Sequence, residues 1–242
     1  MSTKSKNIYY EFNKESKISI GLEYEKYLHQ SQSKYQHIDV LRTIKYGNVL
    51  YLDNCFMMSE KHNNFYHEEC INLVPKSAEK ILIIGGGDCG ISSKLLKRKK
   101  VKNIVISEID EDVVKICKKY FPKNFNLNEK NKQRIKIKIC DGMNYLKNCK
   151  EIFDCIIIDS TDPIGEARKL FSKSFIKYLY NNLCANGTVV HQSGSPIYNL
   201  KNIIKPLFKK YTNVGFKNLT LTSFPMPLYP SGTWSFLRAK RA

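Results

Sequence analysis

The sequence predicts an α/β protein in which a small N-terminal β domain precedes a parallel sheet with helices on both faces. Turns, and not helices, separate the apolar segments of roughly the first 60 residues. From Ile81 onwards, short continuous apolar runs alternate with segments of helical length, as parallel strands buried between helices do. A glycine-rich loop directly follows the first of these runs. Together these observations predict a Rossmann-like domain behind a smaller β domain.

In the N-terminal part we expect mostly β structure and one helix. Weak alternation and β-branched residues predict three strands joined by turns, at residues 35–43, 49–52 and 55–59. The segment 63–74 predicts a short helix, because Pro75 would end it. The pattern changes after this proline. We therefore expect the N-terminal domain to span residues 1–75 and the Rossmann-like domain residues 76–242.

The larger domain is predicted to alternate between strands and helices. Apolar runs predict strands at residues 81–84, 104–108, 135–140, 155–159 and 188–192. Helices are expected at residues 91–99, 110–120 and 172–183. Because parallel strands need crossover connections, this order predicts one sheet covered by helices on both faces.

The chain is strongly basic, so nucleic acid is a class of partner to consider. Its 242 residues carry 40 Lys and Arg against 22 Asp and Glu, a formal net charge of +18. Only six of the basic residues are arginine, the side chain best suited to bidentate recognition of phosphate and guanine. The densest basic run, residues 94–100, fits the polar end of an amphipathic helix. We therefore expect no nucleic-acid partner.

Composition and cysteine spacing indicate a soluble protein of a reducing compartment. With 42% apolar and 26% charged residues, the chain is neither disordered nor collagen-like. No apolar run is long enough to span a bilayer, and the first residues lack the apolar stretch of a signal peptide. The eight cysteines form no C-x-x-C pair or zinc-type cluster. We expect a cytoplasmic protein with free thiols, no metal and no membrane partner.

The glycine-rich loop indicates an adenosine-type ligand. Gly85–Gly90 reads GGGDCG, which matches G-x-G-x-x-G between a predicted strand and a helix. Glu108 ends the next strand, 23 residues after Gly85, where an acid binds ribose hydroxyls in such folds. Asp88, inside the loop, would oppose the pyrophosphate of NAD at short range. The loop therefore favours a cationic, phosphate-free sulfonium nucleoside, S-adenosylmethionine or a relative of it.

Acidic residues recur where the predicted strands end. They are Asp88, Glu108, Asp141, Asp159 and Asp162. Because ligands of parallel sheets bind outside the carboxyl ends of the strands, these acids should converge on one crevice. Any one of them alone could instead cap a helix or form a turn. Five convergent acids in an acid-poor chain predict an anionic pocket for a polycation.

Several motifs resemble those of the polyamine aminopropyltransferases, from about residue 35 to the end of the chain. They are ILIIGGGDCG, SEIDEDVVKICKKYFP, CDGMNYL, FDCIIIDSTDPIG and PMPLYPSGTWSF. The resemblance implies transfer of the aminopropyl group of decarboxylated S-adenosylmethionine to a polyamine substrate, with release of methylthioadenosine. It also implies a metal-free homodimer or homotetramer with an N-terminal β domain and a Rossmann-like catalytic domain.

The resemblance also implies roles for individual residues. It assigns the nucleoside co-substrate to Gln36, Gly85, Gly87, Asp88, Glu108, Asp141 and Gly142. Within this set, Gln36 and Asp88 would contact the aminopropyl end, Glu108 would hold the ribose, and Asp141 and Gly142 would meet the adenine. It assigns the amine substrate to Tyr66, His67, Asp162, Gln192 and Tyr229. Asp159 would be the base that takes the proton of the attacking amine, because an alkylamine with a pKa of about 10.4 is protonated at neutral pH. Asp88 would also select against the carboxylate of ordinary S-adenosylmethionine.

The sequence departs from the family pattern in several places. Cys89 stands where the family commonly has Gly, Met57 where Gln is common, and Gly194 where an acid is often found. The chain ends at Ala242, where relatives usually continue into a helical tail. Putrescine is the expected acceptor amine, with cadaverine, agmatine and spermidine as alternatives.

Two other functions remain open at this stage. An S-adenosylmethionine-dependent RNA methyltransferase would fit the charge and the fold. It should, however, carry an aromatic residue in the turn occupied here by Asp162–Gly165. A non-catalytic polyamine-binding module is the second alternative, and turnover of the decarboxylated nucleoside would exclude it.

Overall fold

The structure, a computed structural model, describes residues 7–14, 16–61, 64–163 and 165–242. Its N-terminal part contains a two-stranded hairpin and a four-stranded antiparallel sheet. The strands are β1 (Asn7–Asn13), β2 (Ile18–Tyr24), β3 (Lys26–Gln32), β4 (His37–Thr43), β5 (Gly47–Leu52) and β6 (Cys55–Ser59). The three predicted strands correspond to β4, β5 and β6. Because β2 and β3 are largely exposed, their sequences hold no run of apolar residues that would have revealed them.

The first strand is joined to the four-stranded sheet by two inward-facing polar side chains. The Tyr9 hydroxyl donates to Asp39 Oδ2 over 2.7 Å. The backbone N–H of Phe56 donates to Glu11 Oε2 over 2.9 Å. Tyr9 and Glu11 are both buried, whereas the residues between and beside them are exposed. The period-two pattern of a strand therefore brings a carboxylate of β1 against β6.

One helix connects the two parts of the chain. It is α1 (Asn64–Leu73), and it confirms the predicted helix over residues 63–74, except that residue 63 lies outside the described residues. Pro75 follows its end directly after Val74. The division of the chain between residues 75 and 76 stays a prediction.

The larger part is built on a seven-stranded sheet of order β12-β13-β11-β10-β7-β8-β9. Its strands are β7 (Lys80–Gly85), β8 (Asn103–Glu108), β9 (Ile135–Ile139), β10 (Phe153–Asp159), β11 (Leu183–Gly194), β12 (Phe216–Pro225) and β13 (Thr233–Arg241). Strands β7 to β11 are parallel, as predicted. Strands β12 and β13 are antiparallel and were not predicted. A short turn joins them, so they form a hairpin that extends the parallel sheet at one edge.

Helices cover both faces of this sheet, which confirms the predicted fold class. They are α2 (Gly90–Leu95), α3 (Glu111–Tyr120), α4 (Glu129–Lys132), α5 (Gly142–Asn148), α6 (Lys173–Asn181) and α7 (Lys205–Val214). Residues Gly165–Phe171 form a 3₁₀ segment before α6. Alternate residues of β7 serve opposite faces: Ile81 and Ile83 pack with α1 and α2, and Leu82 and Ile84 with α5, α6 and α7.

The strand order locates the crevice in which a ligand can bind. From β7 the chain moves to β8 and β9 on one side, and then returns to β10 and β11 on the other side. The carboxyl ends of β7 and β10 are therefore the topological switch point of the sheet, where doubly wound proteins bind their ligands. Residues Gly85 and Asp159 are paired at this point.

The cysteines are all free thiols, and their burial varies. Cys70, Cys89, Cys117 and Cys155 are buried, whereas Cys55 is exposed. None of the helices in the described residues combines the length and the apolar character needed to cross a membrane.

Candidate active site

The glycine-rich loop lies against the end of β10. Gly85 and Gly86 have φ angles of 82° and 70°, a conformation that favours glycine. The Gly86 N–H donates to the carbonyl oxygen of Asp159 over 3.1 Å. A Cβ atom at Gly85 would collide with that same oxygen, so no other residue fits there. This close approach holds the loop and the Asp159 side chain at one place.

The acid inside the loop is bound to a histidine of α1. Asp88 Oδ2 lies 3.1 Å from His67 Nε2, and Asp88 Oδ1 accepts the Gly90 N–H over 3.0 Å. The His67 ring occupies the space that a side chain at Gly90 would need. Cys89 lies between Asp88 and Gly90 in the chain, and it has a φ of 58° although it is not glycine. Burial raises the pKa of its thiol to about 12, so this cysteine stays protonated.

A second residue of α1 reaches the carboxylate at the end of β10. The Tyr66 hydroxyl donates to Asp159 Oδ1 over 2.7 Å. Burial raises the pKa of Asp159 from 3.8 to about 6, and the charge of Asp88 adds to this, while the Tyr66 hydrogen bond opposes it. Near neutral pH Asp159 is thus mostly ionised but much more basic than an ordinary aspartate. Such a carboxylate is suited to accept a proton from an ammonium group.

Glu108 connects the glycine loop with the end of β8. Its Oε2 accepts the Gly87 N–H over 3.1 Å and its Oε1 accepts the Asp110 N–H over 3.0 Å. Burial raises the pKa of Glu108 to about 7, although these backbone hydrogen bonds lower it. The predicted ribose-binding acid therefore lies at the expected strand end, beside the loop.

Gln36 lies on the Glu108 side of the crevice. Its Nε2 donates to Asp110 Oδ2 over 3.0 Å, and the Ser33 hydroxyl donates to the same oxygen over 2.6 Å. Asp110 Oδ1 in turn caps α3. The sequence reasoning missed Asp110, although it follows Glu108 by two residues and lies where a predicted helix begins. Gln36 is thus held by Asp110 and not by Asp88, the acid with which the family resemblance grouped it.

Asp141 and Gly142 lie where β9 leads into α5. Asp141 Oδ1 accepts the Asn144 N–H over 2.8 Å and so caps this helix. Its Oδ2 lies 2.6 Å from Lys169 Nζ. Gly142 is packed so closely on Ile84 that a Cβ atom would collide with that side chain. The helix start therefore lies directly on the sheet edge.

On the other side of the crevice, Tyr229 faces the acids. Burial raises the pKa of its phenol well above the usual range, and so do the charges of four carboxylates, those of Asp159, Asp162, Glu11 and Asp88. The Tyr229 hydroxyl donates to the carbonyl oxygen of Met57 over 3.4 Å. This hydrogen bond joins the C-terminal turn to β6. Tyr229 thus lies within electrostatic range of these four acids.

Gln192 is held at the edge of the same half by the neighbouring hairpin. Its Nε2 donates to the carbonyl oxygen of Thr161 over 3.0 Å. The Trp234 indole N–H donates to its Oε1 over 3.2 Å, and the Trp234 ring contacts that of Tyr229 at 4.6 Å between centroids. Gln192 and Tyr229 therefore both contact Trp234, a residue to which the sequence assigned no role.

Glu11 is a further acid at this side of the crevice, and the sequence reasoning missed it. Burial raises the pKa of Glu11 to about 7; the hydrogen bond from the Phe56 N–H lowers it, and the Asp162 charge raises it. The Phe56 ring packs against that of Tyr229, with 6.0 Å between centroids. An acid at an inward position of an alternating strand is the signal that could have identified Glu11.

Gly194 occupies the place where the family often has an acid. Its φ is 86°, and a Cβ atom there would lie 2.8 Å from Asn199 Oδ1. An acidic side chain therefore does not fit at this position of the chain. Among the described residues, no group of three or more His, Cys, Asp or Glu side chains is arranged to hold a metal ion.

Comparison with known proteins identifies the family of the chain. The family described as the spermine/spermidine synthase domain matches residues 63–242, and the spermidine synthase tetramerisation domain matches residues 9–60. A polyamine aminopropyltransferase of Halorhodospira halophila is 35% identical over 222 residues, which are 90% of this chain and 79% of the relative. One of Methanocaldococcus jannaschii is 35% identical over 228 residues, 93% of this chain and 76% of the relative.

Two solved structures of similar fold are spermidine synthases. One, in complex with the transition-state analogue AdoDATO, has a TM-score of 0.89 and 30% identity, covering 98% of this chain and 80% of the other. The Thermotoga maritima enzyme has a TM-score of 0.87 at 30% identity, with the same coverage. These matches support neither an RNA methyltransferase nor a non-catalytic binding module. The chain belongs to the spermine/spermidine synthase family and is a transferase of the polyamine aminopropyltransferase type.

Proposed function

We propose that this enzyme transfers the aminopropyl group of decarboxylated S-adenosylmethionine to putrescine, giving spermidine and methylthioadenosine. The observation that carries the proposal is the contact between Tyr66 and Asp159 at the switch point of the sheet, 2.7 Å long. It presents a carboxylate with a pKa of about 6 to the space between the glycine loop and Tyr229. A proton acceptor is the group that this reaction needs most.

The chemistry requires a neutral amine next to a sulfonium carbon. The amine nitrogen attacks the aminopropyl carbon bonded to sulfur, the carbon–sulfur bond breaks, and its electron pair makes the sulfur a neutral thioether. The new secondary ammonium, or the primary ammonium before attack, gives its proton to Asp159. The leaving group needs no acid, because it departs uncharged. Asp159 and the Tyr66 hydroxyl can together orient the attacking nitrogen and take its proton.

Asp88 supports the decarboxylated form as co-substrate. It lies close enough to Asp159 for the two charges to interact, so its carboxylate lies near the proposed reacting centre. A primary ammonium at the end of the aminopropyl chain would be attracted there. The additional carboxylate of S-adenosylmethionine would be repelled. The AdoDATO complex of a structural relative fits a co-substrate of this kind.

The grouping of the acids supports a diamine as acceptor. Asp159 interacts with Asp88, Glu11 interacts with Asp162, and the charges of all four raise the pKa of the Tyr229 phenol. Because Asp88 is taken by the ammonium of the co-substrate, a diamine would place its attacking nitrogen at Asp159 and its other ammonium at Asp162 and Glu11. Putrescine has one nitrogen for each of these two places, whereas spermidine has a third nitrogen to which no acid is assigned.

Glu11 would supply an acid that the family pattern leads one to expect elsewhere. Gly194 cannot carry it, because the backbone there is left-handed and Asn199 fills the space. Glu11 reaches the same half of the site from β1, beside Phe56 and Tyr229. With Asp162 it would bind the distal ammonium of the acceptor.

Assembly and location form the last part of the proposal. We propose a homodimer or homotetramer, supported by the match to a tetramerisation domain and by apolar side chains exposed on the N-terminal hairpin, Ile8, Tyr10, Phe12 and Ile18. The free thiols suit a reducing compartment such as the cytoplasm.

The test is turnover with an amine panel. The purified enzyme is incubated with decarboxylated S-adenosylmethionine and with putrescine, cadaverine, agmatine or spermidine, and the products are identified by mass. Spermidine and methylthioadenosine should form in equal amounts, with the highest kcat/KM for putrescine. A higher kcat/KM for another amine would refute the proposed acceptor, and no transfer to any of them would refute the reaction.

A further inference from the structure

A lysine of the 3₁₀ segment Gly165–Phe171 lies at the proposed adenine end of the site. Lys169 Nζ is 2.6 Å from Asp141 Oδ2 and 2.5 Å from Glu166 Oε2. The side chain of Asp141 is 15% exposed and that of Lys169 is 35% exposed, so the pair is partly shielded from water. Partial burial would lower the pKa of Lys169, but its hydrogen bonds to the two acids raise it above the usual value. This lysine is thus a firmly charged group beside Asp141.

Both oxygens of Asp141 are already engaged. Oδ1 accepts the Asn144 N–H at the start of α5, and Oδ2 accepts the Lys169 ammonium. An exocyclic amino group of adenine that donates to Oδ2 must therefore share it with the lysine or replace the lysine, whereas at Oδ1 it would have to share with the Asn144 N–H. The same segment lines a cavity of about 690 Å³ on its side towards α7, which gives Lys169 space to withdraw.

We propose that Lys169 competes with the adenine amino group for Asp141 and so sets how strictly the enzyme selects adenine over other purines. This inference rests on the proposed function, and it takes Asp141 as the residue that meets the adenine, the role that the family resemblance implies for it. The competing ion pair weakens adenine binding, because it must be broken or stretched. Conversely, a base with a carbonyl oxygen in place of the amino group would accept a hydrogen bond from Lys169, which relieves its repulsion by Asp141.

The test compares two neutral nucleosides, methylthioadenosine and its hypoxanthine counterpart methylthioinosine, by calorimetry. In Lys169→Met, methylthioadenosine should bind about two- to fivefold more tightly, the range expected for a half-exposed ion pair. Methylthioinosine should bind the same variant more weakly than it binds the wild type. The ratio of the methylthioadenosine affinity to the methylthioinosine affinity should therefore rise by more than either affinity changes alone. Lys169→Gln should act in the same direction, which guards against an effect peculiar to methionine.

The dependence of methylthioadenosine affinity on salt concentration is a second readout. A lysine with only a structural role would not affect this dependence. Because methylthioadenosine is uncharged, its affinity has little electrostatic dependence of its own. Raising the salt concentration weakens the Lys169–Asp141 pair, so the wild type should bind methylthioadenosine more tightly at high salt. The two variants should lose this dependence. Lys173→Met is the matched control, since Lys173 is exposed just beyond the segment and should leave both affinities unchanged.

The outcomes separate this inference from the proposed function. If the wild type binds neither nucleoside, both fail. If it binds methylthioadenosine but Lys169→Met shifts the two nucleosides equally, or shifts neither, competition at Asp141 is refuted while the proposed function stands. Opposite shifts for the two nucleosides support the inference.

Discussion

Replacing Asp159 with asparagine should make this enzyme more stable and much slower. Asparagine has the shape of aspartate, and its side-chain oxygen can still accept the Tyr66 hydroxyl. The substitution therefore removes a charge and a proton acceptor without removing the contact between α1 and β10. The two expected effects have different causes and can be measured separately.

The gain in stability follows from the raised pKa of Asp159. Its value rises from 3.8 to about 6 on folding, first through burial and then through the charge of Asp88. The folded state therefore binds the proton more tightly than the unfolded state. Below pH 3.8 both states are protonated and this carboxyl costs nothing. Above pH 6 its ionised form costs the folded state about 3 kcal/mol, which asparagine would remove.

The loss of activity follows from the missing proton acceptor. A positioned general base contributes roughly 10²–10⁴ to the rate, so kcat should fall by about that factor. The affinity for methylthioadenosine should change little, because the proposed nucleoside contacts lie at other residues. In the wild type kcat/KM should decrease as the pH falls through about 6, and this decrease should be absent from Asp159→Asn.

The assay combines kinetics, calorimetry and unfolding. Turnover with decarboxylated S-adenosylmethionine and putrescine is measured per folded molecule, and urea unfolding is followed at pH 4 and pH 7.5. Asp154→Asn is the matched control on the same strand. Asp154 Oδ2 accepts the N–H groups of Glu79 and Lys80, both over 2.8 Å, at the end away from the site. That variant should be less stable and no slower.

This reasoning would be refuted if Asp159→Asn behaved as we expect Asp154→Asn to behave. If Asp159→Asn were less stable than the wild type at pH 7.5 and turned over as fast, Asp159 would only support the adjoining turn. The stability difference should also shrink at pH 4, and a difference that did not depend on pH would disprove the assigned cause.

Three further predictions concern other buried groups. Glu11→Gln should raise the KM for putrescine about 10- to 100-fold with a small change in kcat, since a hydrogen bond to a charged group is lost; an unchanged preference for putrescine over butylamine would make Glu11 purely structural. Asp88→Asn should reduce the ratio of the affinity for decarboxylated S-adenosylmethionine to that for ordinary S-adenosylmethionine, as measured by competition binding. The same ratio in wild type and variant would contradict the selective role of Asp88. Burial, followed by the charge of Lys210, lowers the pKa of His191 to about 3. As the pH falls below 6.5, the unfolded state therefore takes up a proton at this histidine before the folded state does, which destabilises the wild type. His191→Gln lacks this proton uptake, so its free energy of unfolding should rise relative to that of the wild type by up to about 1.4 kcal/mol per pH unit. Urea titrations at pH 7, 6 and 5 would test this, and an equal pH dependence in both proteins would contradict it.

The positions of the acids at the strand ends could be predicted because they are set locally. Glu108 and Asp159 are the last residues of β8 and β10, and Asp141 follows β9 by two residues. Once the apolar runs identify the strands, the parallel order brings their carboxyl ends together. The loop at Gly85 adds a backbone conformation that the sequence makes evident.

The amine side could not be derived in this way, because its contacts join remote segments. Glu11 meets the backbone of Phe56 across 45 positions of the chain, and the Tyr229 hydroxyl meets Met57 across 172. No local period specifies such pairings. Only the family resemblance pointed to Tyr229, and it gave no indication of Glu11.

The C-terminal hairpin was missed for a related reason. Strand β12 is mostly exposed or half-buried and includes Lys217 and Asn218 among its first residues, so its apolar pattern is weak. Its place at the sheet edge depends on pairing with β13, which itself pairs with β11. Edge strands of this kind are specified by their neighbours more than by their own composition.

The division of the crevice between distant parts of the chain bears on how such an enzyme can diverge. The proposed donor side lies mainly within one stretch, Gly85–Gly142, to which Gln36 is added from the position before β4, whereas the proposed acceptor side draws on β1, β6 and the C-terminal hairpin. Apart from Tyr229, which the charges of both sides reach, substitutions on the two sides share few neighbours, so their effects on binding energy should be nearly additive in double-mutant cycles. A lineage could therefore change the amine it accepts by altering Glu11 or its surroundings, while the sulfonium chemistry stays intact.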